Sequence, residues 1–288
     1  VITQPKLKNN PLAGLMRQPK IYIKLPSGGR FWPEGSLVVS ETGEYPVYSM
    51  TAKDELLIKI PDALLNGQAI VDLMQSCMPN IKNAWEAPNL DVDTILMAIR
   101  IATYGERMAV PIDTGDSDYE YDVDLRSVMS DLAGKVSWED AVAINQDLTV
   151  FVKPINYRKM TESALQSFET QKIMQIANSS EMKEEDKLKL FKESFDKLNR
   201  VAVGIITDCV YKIESSQGST DDPVFIKEFM ENSDKEIFDK VKNHLDVLRE
   251  QNTISSLTIN PTPAMLAGGV EDKPIEIPLI FDASTFFA

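Results

Sequence analysis

The sequence predicts a mainly α protein with small antiparallel β elements, an α+β fold with a long antiparallel helical hairpin in its second half. Three observations carry this reading. Residues 48–108 hold three helical stretches, each with its own start signal. Residues 157–214 place apolar side chains three and four apart through two long segments with one short polar break between them. Alternating β-rich runs occur only as short pieces, near residues 21–49 and 147–154.

Residues 1–19 carry three prolines and two adjacent asparagines, and read as an N-terminal arm. Ile21 to Leu25 and Arg30 to Trp32 flank the turn Pro26-Ser27-Gly28-Gly29, which predicts a hairpin. Leu37 to Ser40 and Tyr45 to Ser49 predict a second one around Glu41-Thr42-Gly43-Glu44. Thr51 stands three residues before Asp54, the spacing of a capping box at a helix start. Pro61-Asp62 opens a second helix, with proline where its missing N–H costs nothing. Leu64, Leu65, Ile70, Leu73, Met74 and Cys77 form its apolar stripe, and Pro79 stops it. A third helix begins after Asn89. Asp91 and Asp93 lie in its first turn, where acid suits the helix dipole, and Gly105 ends it.

Past Met108 the acidic run through Tyr119 and Leu125 reads as a solvated turn. Its Asp113, Asp116, Asp118 and Glu120 do not keep the spacing of a calcium loop. Short helices are expected over Leu125–Leu132 and over Trp138–Asn145 with Ser137 as cap, and a strand over Asp147–Pro154. Tyr157 to Ala177 is helical, with Met160, Ala164 and Phe168 on one side. After Asn178-Ser179-Ser180 a longer helix runs from about Lys183 to Glu214. Leu188, Phe191, Phe195, Leu198, Ala202, Ile205 and Cys209 form its seam, which packs within the chain or waits for another protein. Ser215 to Asp222 is a polar linker. Pro223–Met230 and Ser233–Gln251 are further helices, with Phe229, Ile237, Phe238, Val241, Leu245 and Leu248 facing inward. The expected organisation is an arm (1–19), an α+β domain (20–156), a helical extension (157–251) and an extended tail (252–288).

The 288 residues can bury a sizeable core, and 43% hydrophobic with 26% charged is ordinary for a globular protein. A net charge of −14 argues against nucleic acid and against an anionic membrane surface, both of which call for cations. No apolar run approaches the roughly 20 residues of a membrane helix. Cys77 and Cys209 sit on apolar helix faces and read as reduced core residues of a cytosolic protein.

The wording of the central stretch is distinctive: YSMTAKDE, then PDALLNG, then S-C-x-P, then DVD followed by AIRIATYGERM. With IYIKLPSGGRFW before it, YEYDVDL after it and, more weakly, LTVFVKPINYRKM, it resembles the baseplate hub protein family of contractile-tailed bacteriophages of the T-even type. The order of these words is more specific than any one of them, and they cover about half of the chain. The resemblance implies a structural component of a tail baseplate or hub, acting by protein–protein interaction. It implies contacts with other tail proteins (hub, tape measure, wedge), leaves open several copies in a symmetric assembly, and places the chain in the virion and, during assembly, in the host cytoplasm. A tail assembly chaperone that leaves the particle is the alternative. The family often carries a paired-cysteine, metal-knuckle form after the third helix. Here Asp113, Gly115 and Asp116 stand in that region, so no zinc is expected.

Catalytic constellations are not legible. His244 is the only histidine and lies within a charged helical pattern; neither cysteine has an activating neighbourhood. No G-x-S-x-G, Walker A or dinucleotide fingerprint occurs. Trp32, Trp85 and Trp138 read as core anchors rather than sugar platforms. The expectation is a non-enzymatic protein without cofactor or metal, with a cell-wall hydrolase of the tail tip as a distant third reading. The candidate partner interface is the C-terminal tail. Leu279, Ile280, Phe281, Phe286 and Phe287 are too apolar for a solvated end, and Pro274 and Pro278 keep the backbone extended. That tail is expected to dock on the chain's own body or on a neighbour.

Overall fold

The computed structural model describes Leu12 and residues 16–113, 118–135, 137–179, 183–253, 256–278 and 286–287. The described chain is mostly helical with small antiparallel sheets. Strand β1 (Pro19–Ile23) pairs antiparallel with β2 (Tyr45–Tyr48). The first sheet is therefore closed by one long connection, not by two tight hairpins. Residues 24–33 turn through Gly28 and Gly29, both at positive φ, while Leu37 leaves to bridge Ile81. Non-local pairing wins here because alternate β1 and β2 residues, Ile23, Tyr45 and Val47, all reach the buried side.

Helix α1 (Ala52–Leu57) starts at a true capping box. The Thr51 hydroxyl accepts from the Asp54 amide, and the Asp54 carboxylate accepts from the Thr51 amide. The expected second helix is broken in two, α2 (Pro61–Leu65) and α3 (Gln68–Cys77), at Gly67 with φ 78°. There the chain passes close to Thr161; a Cβ on Gly67 would stand 2.9 Å from its methyl group. Helix α4 (Asn89–Tyr104) runs through the centre of the molecule with Ile95, Met97, Ala98 and Ile99 fully buried, and it ends at Gly105.

Beyond α4 several sequence readings are corrected. The acidic stretch is a hairpin, β3 (Arg107–Asp113) with β4 (Asp118–Asp124), whose turn lies outside the described residues. Its inner residues, Val110, Ile112 and Val123, alternate with exposed ones, Ala109 and Pro111 on β3 and Glu120 and Asp122 on β4, so the acidity of β4 hid a half-buried period of two. Helix α5 (Leu125–Lys135) follows. The expected helix over Trp138–Asn145 is instead strand β5 (Ala141–Asn145), its alternation being Val142 and Ile144 in, their neighbours out. It pairs with β6 (Leu148–Val152).

Helices α6 (Tyr157–Ser179) and α7 (Glu184–Cys209) form the expected antiparallel hairpin. Helix α7 stops five residues early. The segment from Val210 becomes β7 (Val210–Ser215), which pairs with β6 and with β8 (Gly218–Thr220). The polar linker is therefore largely a strand turn in a four-stranded sheet, β5-β6-β7-β8. Helices α8 (Pro223–Asn232) and α9 (Lys235–Asn252) cover that sheet. The tail is not simply extended: β9 (Ser256–Ile259) and β10 (Ile275–Pro278) pair antiparallel around the short helix α10 (Pro263–Ala267).

Two apolar clusters result. One joins β1–β2, α3, α4, β3–β4 and α5 with Ile259, Met265, Ile277, Phe286 and Phe287 of the tail. The other joins β5, β6 and β7 with the end of α7, α8 and α9. Tail and body meet closely, since the Tyr119 hydroxyl of β4 stands where Gly268 would carry a Cβ.

The α7 seam is rotated from the expected one. Leu188 and Phe195 are 69% and 55% exposed, whereas Ser194 is buried. On α6, past its first residue Tyr157, the buried residues among those described are Thr170 and Ala177. Small side chains let the two helices approach closely, and the larger apolar residues are left on the flank.

Candidate functional site

The words that carry the family resemblance contact one another through buried polar groups. Asp91, in the DVD word, is fully buried. Its Oδ1 accepts from the Ser27 amide at 2.7 Å. Its Oδ2 accepts from the Ser27 hydroxyl at 2.6 Å and from Trp32 Nε1 at 2.7 Å. One carboxylate thus holds both ends of the PSGGRFW loop against α4. Burial pushes the Asp91 carboxyl up to about 6, although the Ser27 and Trp32 donors pull the other way.

A second knot is centred on Asp54 of YSMTAKDE. Its Oδ2 accepts from the Thr51 amide, the Thr51 hydroxyl at 2.8 Å and the Ser76 hydroxyl at 3.1 Å, with Arg17 Nη1 at 3.6 Å. Arg17 also donates to the Ser76 and Ser49 carbonyls at 2.6 and 2.7 Å. The guanidinium therefore joins β2, α1 and α3 at one point. Thr103 of AIRIATYGERM accepts from the Met50 amide at 3.0 Å. The weaker PINY word is tied in as well: Asn156 donates to Glu86 at 2.8 Å, and the Tyr157 amide to the Ala87 carbonyl. These residues are latches between loops and helices. Their chemistry positions backbone; it does not activate a nucleophile.

The loop held by Asp91 also bridges to the second cluster. Phe31, at φ 67°, packs edge-on to Trp138 with ring centroids 6.1 Å apart. Arg30 pairs with Asp140 at 3.3 Å, and Asp140 accepts from the Tyr211 hydroxyl at 3.0 Å. A small cavity of about 30 Å³, room for one water, lies nearby among Asp93, Trp138, Cys209, Arg249 and Asn252. Burial pushes the Asp93 carboxyl up to about 6 and the Cys209 thiol up to about 11. A thiol protonated at neutral pH is a poor nucleophile. Cys77 is buried too, and burial raises its thiol to about 12.

The remaining sequence-singled residues are placed as follows. His244 is half-buried, with Nε2 2.8 Å from the Glu139 carbonyl oxygen. Among the described residues no group of three or more His, Cys, Asp or Glu is gathered for a metal ion. No helix among them is long and apolar enough to cross a membrane. Trp32 and Trp138 each spend their indole N–H inside the molecule, on Asp91 and on the Val152 carbonyl. Trp85 packs against Tyr157 and beneath Arg158. Of the tail residues, Leu279, Ile280 and Phe281 lie outside the described residues. Phe286 and Phe287 are 1% and 3% exposed in the first cluster. They stack edge-to-face at 5.3 Å; Arg100 lies over the Phe286 ring, and the Tyr104 hydroxyl reaches the Phe287 carbonyl.

Compared with known protein families, residues 18–257 match the family described as T4 bacteriophage base plate protein. The chain belongs to that family. The match begins just after Arg17 and ends within β9, so it takes in the Asp91 knot, the Asp54 knot apart from Arg17, the helical hairpin and the four-stranded sheet. No curated protein and no solved structure matches the chain.

A baseplate protein works through its surfaces, and here the sequence was least informative. Nothing in the arm's sequence marks Arg17, and the partners of Asp54 and Asp91 are invisible in sequence because they come from distant segments. Asp91 itself could have been flagged as an acid in the first turn of a helix that is apolar nearly all round.

Proposed function

We propose that this chain is a structural, non-enzymatic component of the baseplate hub of a contractile phage tail, joined to hub, wedge or tape-measure proteins by protein–protein contacts. The family match over residues 18–257 is the observation that carries this reading. The fold agrees with it. Polar knots lock a rigid body, and the α6–α7 hairpin leaves Phe168, Leu188 and Phe195 uncovered on helices that pack mainly on each other. Apolar helical residues of that kind, flanked by charge, suit a partner seam. In this scheme Phe286 and Phe287, buried in the body, are the tail's contacts at home, and Leu279, Ile280 and Phe281 are the tail residues assigned to a partner.

Quantitative mass spectrometry of purified virions tests the proposal. A fixed copy number in finished tails is the expected result. Presence in hub intermediates but not in virions would replace it with the departing chaperone, and absence from both would refute a baseplate role.

A further inference from the structure

Helix α7 carries Gly204 in its interior. A glycine there weakens a helix relative to alanine and calls for a packing reason. The chain supplies none, since a Cβ on Gly204 would meet nothing within 4 Å. The residue faces a groove of about 760 Å³ between α7 and the α8–α9 pair. Val203, Met230 and Phe238 give the groove its apolar floor, beside Thr207, whose hydroxyl is taken up by the Val203 carbonyl at 3.0 Å. Four cations line it, Lys159, Arg200, Lys227 and Lys235, against two carboxylates, Asp208 and Glu231. Those acids pair with Lys159 and Lys227, and Lys235 pairs with Asp239. Arg200 donates to the Asp196 carbonyl at 3.4 Å and forms no ion pair among the described residues. A channel between α6 and α7 continues the groove, sharing Lys159, Arg200, Gly204 and Asp208; it adds one cation, Lys197, which pairs with Glu169, and one acid, Glu162, so the cationic excess is that of the groove itself. A basic groove is unusual on a chain of net charge −14.

We propose that this groove is a docking site for an acidic amphipathic helix of another protein, which crosses α7 at Gly204. The missing side chain allows close backbone approach, the apolar floor receives one stripe of the incoming helix, and Arg200 with the rim lysines meets its acidic flank. The cationic excess favours an acidic segment over a neutral or basic one, and steers its approach at low salt. This deepens the baseplate reading by assigning one partner contact to one surface.

The test uses the full chain in infected cells, with a photo-crosslinking residue in place of Asn199, an exposed, uncharged residue of the groove wall. The expected result is an adduct with one segment of a different polypeptide, net acidic and apolar at helical spacing. Gly204→Leu should cut that adduct at least tenfold while leaving the melting temperature of the purified chain equal or higher. The double charge reversal Arg200→Glu with Lys227→Glu should cut it as well. The proposal fails if no adduct forms, if the adduct lies on a second copy of this chain or on a basic segment, or if Gly204→Leu leaves it intact. The baseplate reading fails separately: an acidic helix from a protein that is no tail component would keep the groove and sink that reading.

Discussion

Replacing Asp91 by asparagine should change how stability depends on pH, and the structure sets the size of the change. The ordinary carboxyl value is 3.8; burial raises it to about 6 in the folded chain. The gap corresponds to about 3 kcal/mol favouring the protonated form in the folded state. Because the folded value is the higher one, this contribution is fully present below about 3.8 and is lost as pH rises through about 6. The wild type therefore carries the cost of burying a charge at pH 7.5 and is nearly free of it at pH 4. Asparagine carries no such charge at either pH. It does pose a donor problem. If its carbonyl keeps the Ser27 amide, its NH₂ faces Trp32 Nε1, which can only donate. A protonated carboxyl avoids this by donating to the Ser27 hydroxyl while still accepting from Trp32. The orphaned indole costs about 1–3 kcal/mol. Asp91→Asn should thus match or exceed the wild type at pH 7.5, and be less stable by about 1–3 kcal/mol at pH 4. The difference between the two proteins should swing by about 2–3 kcal/mol over that range. Urea titrations of both at several pH values measure it, and taking the difference removes the titration of every other acid. A pH-independent difference would refute the account of Asp91 as a buried, raised carboxyl.

Three further substitutions probe packing. Phe286→Ala should destabilise the isolated chain by about 3–5 kcal/mol in denaturant melts, because the ring is buried against the first cluster; a loss below about 1 kcal/mol would mean the tail is not docked. Phe195→Ala should cost about 1 kcal/mol or less in the same assay, since over half of the ring is already in water, and a core-sized loss would restore the inward seam. Gly67→Ala should cost about 1–3 kcal/mol, from the left-handed φ and the 2.9 Å approach to Thr161; trimming Thr161 to serine in the same chain should recover part of it, and no recovery would remove the steric share of the argument.

What the sequence determined by itself was local. The Thr51–Asp54 cap, the Gly105 stop, the Asp222-Pro223 helix start and the inward side of α9 follow from neighbours within one or two turns, and those contacts form whatever the rest of the chain does. The family words were legible for a related reason: each is a short stretch that one loop or helix end requires. What only the tertiary structure decided was everything that depends on a distant partner. Strand β2 pairs with β1, some twenty residues back, in place of its near neighbour. The run after Cys209 turns to strand because β6 offers it an open edge. On α7 the heptad pattern fits more than one inward side, and the small residues of α6, Thr170 and Ala177, settle which one is buried. Asp91 makes the same point in a single side chain. As sequence it is an acid suited to a helix start, and only packing brings Ser27 and Trp32 to it and excludes the water that would otherwise hold its charge.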